Sequence, residues 1–238
     1  MARATPTKKP KAEKRGKYSN RNRRYKRLKT YIFSLICIFV ISTMIFAKSY
    51  RVPSRSMEDT LIHGDYLVLE TFTPTIQKIL IDFNISFGLP KVGELVVFVS
   101  PEDHGLDLRK KYVKRCLAGP GQVVEIVAKI PYVDGVRAQD PFLSKYIDSN
   151  ILSLDEGSRD NLDAFEVPNG SVFVLGDNRD NSRDSRHWGT VPFESIIGYP
   201  IFIYGSLSPE KSTGASLFDS IISWPSRVRW SRILSRIP

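Results

Sequence analysis

Residues 30–47, TYIFSLICIFVISTMIFA, carry no charged side chain. Eighteen residues wound as a helix rise about 27 Å, enough to cross the hydrocarbon core of a bilayer. Lys29 and Lys48 bracket the run, and Lys48 and Arg51 have stems long enough to snorkel toward water. The pattern predicts a transmembrane anchor over 30–48. The competing element is a cleaved signal peptide, which has a shorter apolar core and ends in small residues at alternate positions. Ile45 stands where a small residue is needed for cleavage after Ala47, so the uncleaved anchor is the better fit.

Beyond residue 49 the pattern changes to short runs rich in β-branched and aromatic residues. Runs at 66–72, 94–100, 111–116, 122–127, 171–175 and 197–204 predict strands. Gly119-Pro120-Gly121 marks one turn, and Asp134-Gly135 predicts a tight hairpin. With no long amphipathic helix between them, these runs predict a mainly β, antiparallel domain over 49–210. Two stretches break the rhythm. Residues 74–90 contain ILIDFNISFGLP and read as an apolar loop, either core or membrane surface. Residues 138–165 are polar and acidic and read as an exposed insertion. In the C-terminal segment, 211–238, Trp230, Ile233, Leu234 and Ile237 follow helical spacing, with Arg229, Arg232 and Arg236 on other faces. That spacing fits a short amphipathic helix, lying on a membrane or packed on the domain.

Charge sharpens this picture. The net charge of the 238 residues is +10, yet residues 1–30 hold thirteen Lys/Arg against the single Glu13. The remainder is slightly acidic. A basic arm can bind nucleic acid. Here it directly precedes the apolar run, where a basic excess fixes that end in the cytoplasm. Residues 1–29 then form a disordered cytoplasmic tail, and the β domain is delivered to the other side. Cys37 and Cys116 have no metal-ligand spacing, and Cys37 lies inside the apolar run, so both read as buried thiols rather than a bridge.

Candidate chemistry lies just past the anchor. Ser56 sits in Pro53-Ser54-Arg55-Ser56-Met57. A serine attacks only when something takes its proton. Lys114, in Tyr112-Val113-Lys114-Arg115, shares one strand face with Tyr112 and Cys116, and an apolar setting there would hold its amine neutral. In an extended segment Ser54 and Ser56 point the same way, so the Ser54 hydroxyl and the Ser56 N–H can serve an oxyanion. The loop Gly176–Arg186, GDNRDNSRDSR, fails the calcium-loop template: counted from Asp177, Ser182 stands at position six and Trp188 at position twelve. Its alternating Asp and Arg suggest charges paired within the loop. His63, His104 and His187 occupy no recognisable triad motif.

The segments PSRSM, YVKR and GDNRDNSRDSRHWG, in this order behind an N-terminal anchor, resemble the bacterial type I signal peptidases. The resemblance covers about residues 30–205 and implies a signal peptidase/LexA-like β fold. It implies Ser56 as nucleophile, Lys114 as general base, Ser54 as oxyanion donor and Ser182 as the residue orienting the lysine. It places Arg115, Asp177, Asp184 and Arg186 in a structural polar network. It further implies that preprotein signal peptides are cut after small residues at positions −3 and −1, without metal or cofactor. The setting it implies is a single-pass protein of the bacterial inner membrane, near lipid and the secretion translocon, with no nucleic-acid partner. Departures are Glu58 and Asp59 after Met57, where the family often has a proline, the lack of a proline between Ala118 and Gly119, and the lack of the second anchor and large cap of some relatives. Two rivals stand beside it. A LexA-like self-cleaving regulator shares the Ser/Lys chemistry but needs a DNA-binding domain, for which the tail is too short. A membrane-anchored adaptor would not need Ser56.

Overall fold

The computed structural model describes residues 25–38, 47–81, 88–102, 110–138, 144–208 and 225–237. It divides into two units, 1–45 and 46–238. Within the first, residues 25–38 form helix α1. The helix therefore starts inside the basic tail, contrary to the expected disorder of 25–29. Lys, Arg and Leu are good helix formers, and no Gly or Pro interrupts 25–38. Among the described residues no helix is long and apolar enough to cross a membrane. Residues 39–46 of the expected anchor lie outside the described residues. Its last two positions, Ala47 and Lys48, belong to strand β1 (Ala47–Arg51).

The second unit is built on antiparallel β-sheets, as the alternation of its strands requires. Residues of β2 (Asp65–Glu70) alternate between buried and half-buried, the signature of a strand with one face on the core. β3 (Leu95–Val99) and β9 (Ser171–Leu175) are buried almost throughout. β4 (Lys111–Ala118) lies between them, and β11 (Ile196–Ser206) crosses the middle of the sheet. The main sheet runs β1-β2-β11-β3-β4-β9-β10, with β10 at Val191–Pro192, and β12 (Ser235–Arg236) pairs with β11. A smaller sheet, β7-β6-β5-β8, joins β5 (Val123–Val127), β6 (Ile130–Val133), β7 (Val136–Arg137) and β8 (Leu162–Glu166). The Asp134-Gly135 turn joins β6 to β7, with both residues at positive φ, as the tight hairpin requires.

Three expected features differ. Residues 72–81, read as the end of a strand and the start of a loop, form helix α2 (Phe72–Ile81). It contains Thr-Ile-Gln-Lys-Ile-Leu-Ile, whose apolar spacing over so few residues suits helix and strand equally. Residues 82–87 lie outside the described residues. The described stretch 144–165 of the expected insertion is not a free loop. Asp160 in it is fully buried, and its 162–165 end is part of β8. The C-terminal spacing does not make a helix: Trp230–Arg232 is one turn of 3-10 helix, Leu234 has φ 59°, and Ser235–Arg236 is a strand. Pairing with the free side of β11 satisfies backbone groups that an isolated short helix would leave to solvent.

Candidate active site

Ser56 rides on a loop closed at its base by two bonds, Val52 N–H to the Asp65 carbonyl (2.9 Å) and Gly64 N–H to the Val52 carbonyl (3.0 Å). The chain bends at Ser54 and Arg55 and turns over 56–60, with Glu58 N–H donating to the Arg55 carbonyl at 3.0 Å. It is thus a turn rather than the extended segment expected. Met57 and Leu61, both fully buried in the core with Leu67 and Val113, anchor the turn. The Ser54 and Ser56 hydroxyls lie 3.2 Å apart.

Lys114 is placed by strand register. It stands opposite Val96 across β3, and β9 pairs Leu175 with Arg115. One residue further along β9, Gly176 opens the polar loop beside Lys114. The lysine is 1% exposed. Its amine donates to the Ser182 hydroxyl at 2.9 Å and lies 6.0 Å from the Tyr112 ring centroid. Among the described residues no carboxylate comes within ion-pair distance of it. Burial is the largest influence and lowers its pKa; Asp184 opposes this, Arg186 adds to it and Asp177 opposes it, leaving the pKa at about 8.

The loop after β9 ties these pieces together. Asn178 N–H donates to the Ser56 carbonyl at 3.0 Å. The Gly176 Cα faces both partners: a Cβ there would collide with the Ser182 hydroxyl and stand 2.7 Å from the Ser56 carbonyl oxygen. Ser56 and Ser182 therefore close on the same point, and only glycine leaves room for both. Asp177 receives one guanidinium edge of Arg115, Nε and Nη2, at 2.9 and 2.8 Å and accepts from the Thr60 hydroxyl at 2.6 Å. Asp184 receives Arg186 in the same bidentate way, at 2.8 and 2.9 Å, and also accepts from the Gly176 N–H. Burial works against the Asp184 carboxylate, but Arg186, Lys114 and that N–H outweigh it and hold the carboxyl down at about 2.

The Asp184–Arg186 pair is internal to the loop, but other loop charges turn outward. Asp177 reaches out to β4, and Asp180 reaches out to Lys129 at 2.8 Å. Arg183 pairs with Glu102. The expectation of internal pairing fails because a loop this short cannot turn every side chain on itself, while the sheets beneath offer partners.

Lys145 and Gly176 act in ways the sequence did not reveal. Lys145, from the supposed insertion, bonds through its backbone to the Asp177 carbonyl and the Arg179 N–H, at 2.8 and 2.9 Å. Its amine lies 3.6 Å from Glu58 and 3.3 Å from Asp59, the two acidic residues that follow Met57. One of two basic side chains in an acidic stretch, the other being Arg159, was the available signal. For Gly176, the signal was its place between a buried strand and a polar loop. The described histidines stand apart: His63 lies in the turn before β2, and His187 is exposed on the short helix α3 (Ser185–Trp188); His104 is outside the described residues. Among the described residues no cluster of His, Cys, Asp or Glu is arranged to hold a metal. Both cysteines are free. Burial pushes the Cys116 thiol up to about 12, so it stays protonated and inert.

A mainly antiparallel β fold whose loop after β9 meets a buried lysine through Ser182 and a serine-bearing turn through Asn178 defines a class, and comparison with known proteins gives its family. The family model described as "Signal peptidase, peptidase S26" matches residues 25–205. The chain belongs to that family. It is a signal peptidase of type I, a serine endopeptidase, which displaces the non-enzymatic adaptor. A probable signal peptidase I-1 of Synechocystis sp. is 37% identical over 72% of this chain and 78% of its own length. A probable thylakoidal processing peptidase 2 of Arabidopsis thaliana, chloroplastic, is 31% identical over 72% of this chain and 42% of its own. The crystal structure of a signal peptidase I from Enterococcus faecalis V583 is 29% identical, covering 48% of this chain and 98% of its own, with a TM-score of 0.38.

Proposed function

We propose that the protein removes signal peptides from exported preproteins with Ser56 as nucleophile and Lys114 as general base. The observation that carries this reading is the Lys114 amine, buried with no carboxylate among the described residues at ion-pair distance and held by the Ser182 hydroxyl at 2.9 Å. A lysine with a pKa of about 8 has a useful neutral fraction near physiological pH. Neutral Lys114 takes the Ser56 proton as the Ser56 oxygen attacks the scissile carbonyl. The Ser56 N–H and the Ser54 hydroxyl stabilise the oxyanion, and the Lys114 ammonium then protonates the leaving amine. Water deprotonated by the same lysine hydrolyses the acyl-enzyme. Ser182 orients the amine, and the Arg115–Asp177 and Asp184–Arg186 pairs hold the loop that carries Ser182. No metal or organic cofactor takes part.

The substrate binds extended and presents small residues at positions −3 and −1, since alternate side chains of a strand point the same way. The uncharged run 30–47 and the basic excess before it support a single membrane anchor with the N-terminus in the cytoplasm. The catalytic unit then works outside the cytoplasm, close to lipid and to emerging preproteins. The Ser56→Ala variant is expected to lose cleavage of a preprotein with an Ala-x-Ala site by at least about 10⁴-fold, and labelling by a serine-acylating probe with it. Cleavage at even a tenth of the wild-type rate would remove Ser56 from the nucleophile's role.

A further inference from the structure

The family match ends at residue 205, but residues 225–237 return to the site. This strap runs along β11: Arg229 N–H donates to the Ser206 carbonyl at 3.0 Å, Leu234 N–H donates to the Ile203 carbonyl at 2.7 Å, and Ser235 and Arg236 pair with Ile203 and Phe202. Its docking point is Asp65, a carboxylate with no solvent exposure, at the base of the loop that carries Ser56. Arg232 meets Asp65 at 2.7 Å and, with the same terminal nitrogen, donates to the Thr60 carbonyl at 2.9 Å. Thr60 ends the turn that begins at Ser56, and its hydroxyl is already bound to Asp177 at 2.6 Å. The turn is thus pinned on two sides, by the loop after β9 through the Thr60 side chain and by the strap through the Thr60 carbonyl. Arg229 differs. It reaches Ser206, Leu207 and the His63 carbonyl and lies 3.6 Å from Asp65, but does not touch the turn 56–60.

Resting on the assignment of Ser56 as nucleophile, we propose that Arg232 is a positioning residue for catalysis: through the Thr60 carbonyl it fixes the turn that aims the Ser56 hydroxyl. A guanidinium suits the task because one planar fork binds a carboxylate and a carbonyl together. Small displacements of a nucleophile are expensive in rate and leave remote substrate contacts intact, so the effect falls on kcat rather than KM.

The test uses the full-length enzyme in detergent with an Ala-x-Ala preprotein. R232Q is expected to lower kcat about tenfold with KM changed less than about twofold, and to slow acylation of Ser56 by a serine-directed probe by the same factor. R229Q is expected to keep its kcat. Because R232Q also takes from the buried Asp65 carboxylate the nearer of its two guanidinium partners, the double variant D65N/R232Q separates the two roles: it should recover thermal stability but not turnover. Wild-type kcat in folded R232Q, an equal fall in R229Q, or recovery of kcat in D65N/R232Q would overturn the proposal. Activity surviving in S56A would overturn the nucleophile assignment and this proposal with it. A dead S56A beside an unimpaired R232Q overturns this proposal alone.

Discussion

Lys114→Met is expected to abolish peptide cleavage and yet make the protein more stable. Lys114 has a pKa of about 8 in the folded protein against an ordinary 10.5. The unfolded chain therefore holds the lysine proton more tightly than the folded one. The lysine weakens the fold fully at any pH below 8, and the penalty fades as pH rises from 8 to the unfolded value. At neutral pH this shift amounts to about 3 kcal/mol. Methionine is close in volume and needs no solvation. Leaving the Ser182 hydroxyl without its partner returns about 1 kcal/mol. A net gain of about 2 kcal/mol should raise Tm by several degrees at pH 7, and calorimetry at pH 10 should find the gain much reduced. In the wild type, kcat/KM should climb about tenfold per pH unit between pH 6 and 7 and level off above pH 9, because only the neutral amine accepts the serine proton. A methionine variant less stable than wild type at pH 7 would contradict burial as the cause of the low pKa.

Gly176→Ala is expected to damage the site although the residue takes no part in the chemistry. Its Cβ would stand 2.6 Å from the Ser182 Cβ and 2.7 Å from the Ser56 carbonyl, where carbon contacts need about 3.5 Å. Neither neighbour can yield easily. Ser182 is held by Lys114, and the Ser56 carbonyl is held by the Asn178 N–H. The loop must lift, which takes Ser182 off the lysine and the loop off the serine turn. Overpacking of this kind costs about 1–3 kcal/mol, and the misplaced groups should lower kcat about 100-fold. Gly119→Ala is the control. Its nearest neighbour would be the Gln122 side chain at 3.9 Å, so both Tm and kcat should stay near wild type. Normal turnover in G176A would show that the approach of the two segments does not matter to the reaction.

Much of the fold was legible because strands announce themselves by composition. The run 171–175 was read at the limits of β9, and Asp134-Gly135 marked a hairpin through its need for positive φ. Failures fell where local pattern admits two structures. The run through Thr75–Ile81 is too short for its period to separate helix from strand, and packing decided for α2. Trp230, Ile233, Leu234 and Ile237 have helical spacing, yet Ile237 packs on the core while Trp230 and Leu234 stay exposed on a strap. The open side of β11 captured that segment, and nothing within 211–238 reports it.

The chain itself, through residue order, determined the segments that carry chemistry. It placed Ser56 nine residues past Ala47, where the uncharged run ends, Lys114 on a face with Tyr112 and Cys116, and Ser182 in a loop dense with Asp and Arg. Those are covalent facts, and the resemblance to signal peptidases followed from them. Tertiary structure alone decided that the Lys114 amine is dry, because its burial comes from strands β3 and β9 brought in from both sides. It alone made Gly176 a spacer between Ser56 and Ser182, and tied Lys145 and Arg232 to the serine turn. A pKa, a steric gap and an ion pair each belong to groups that meet only when the chain has folded, so no local pattern can encode them.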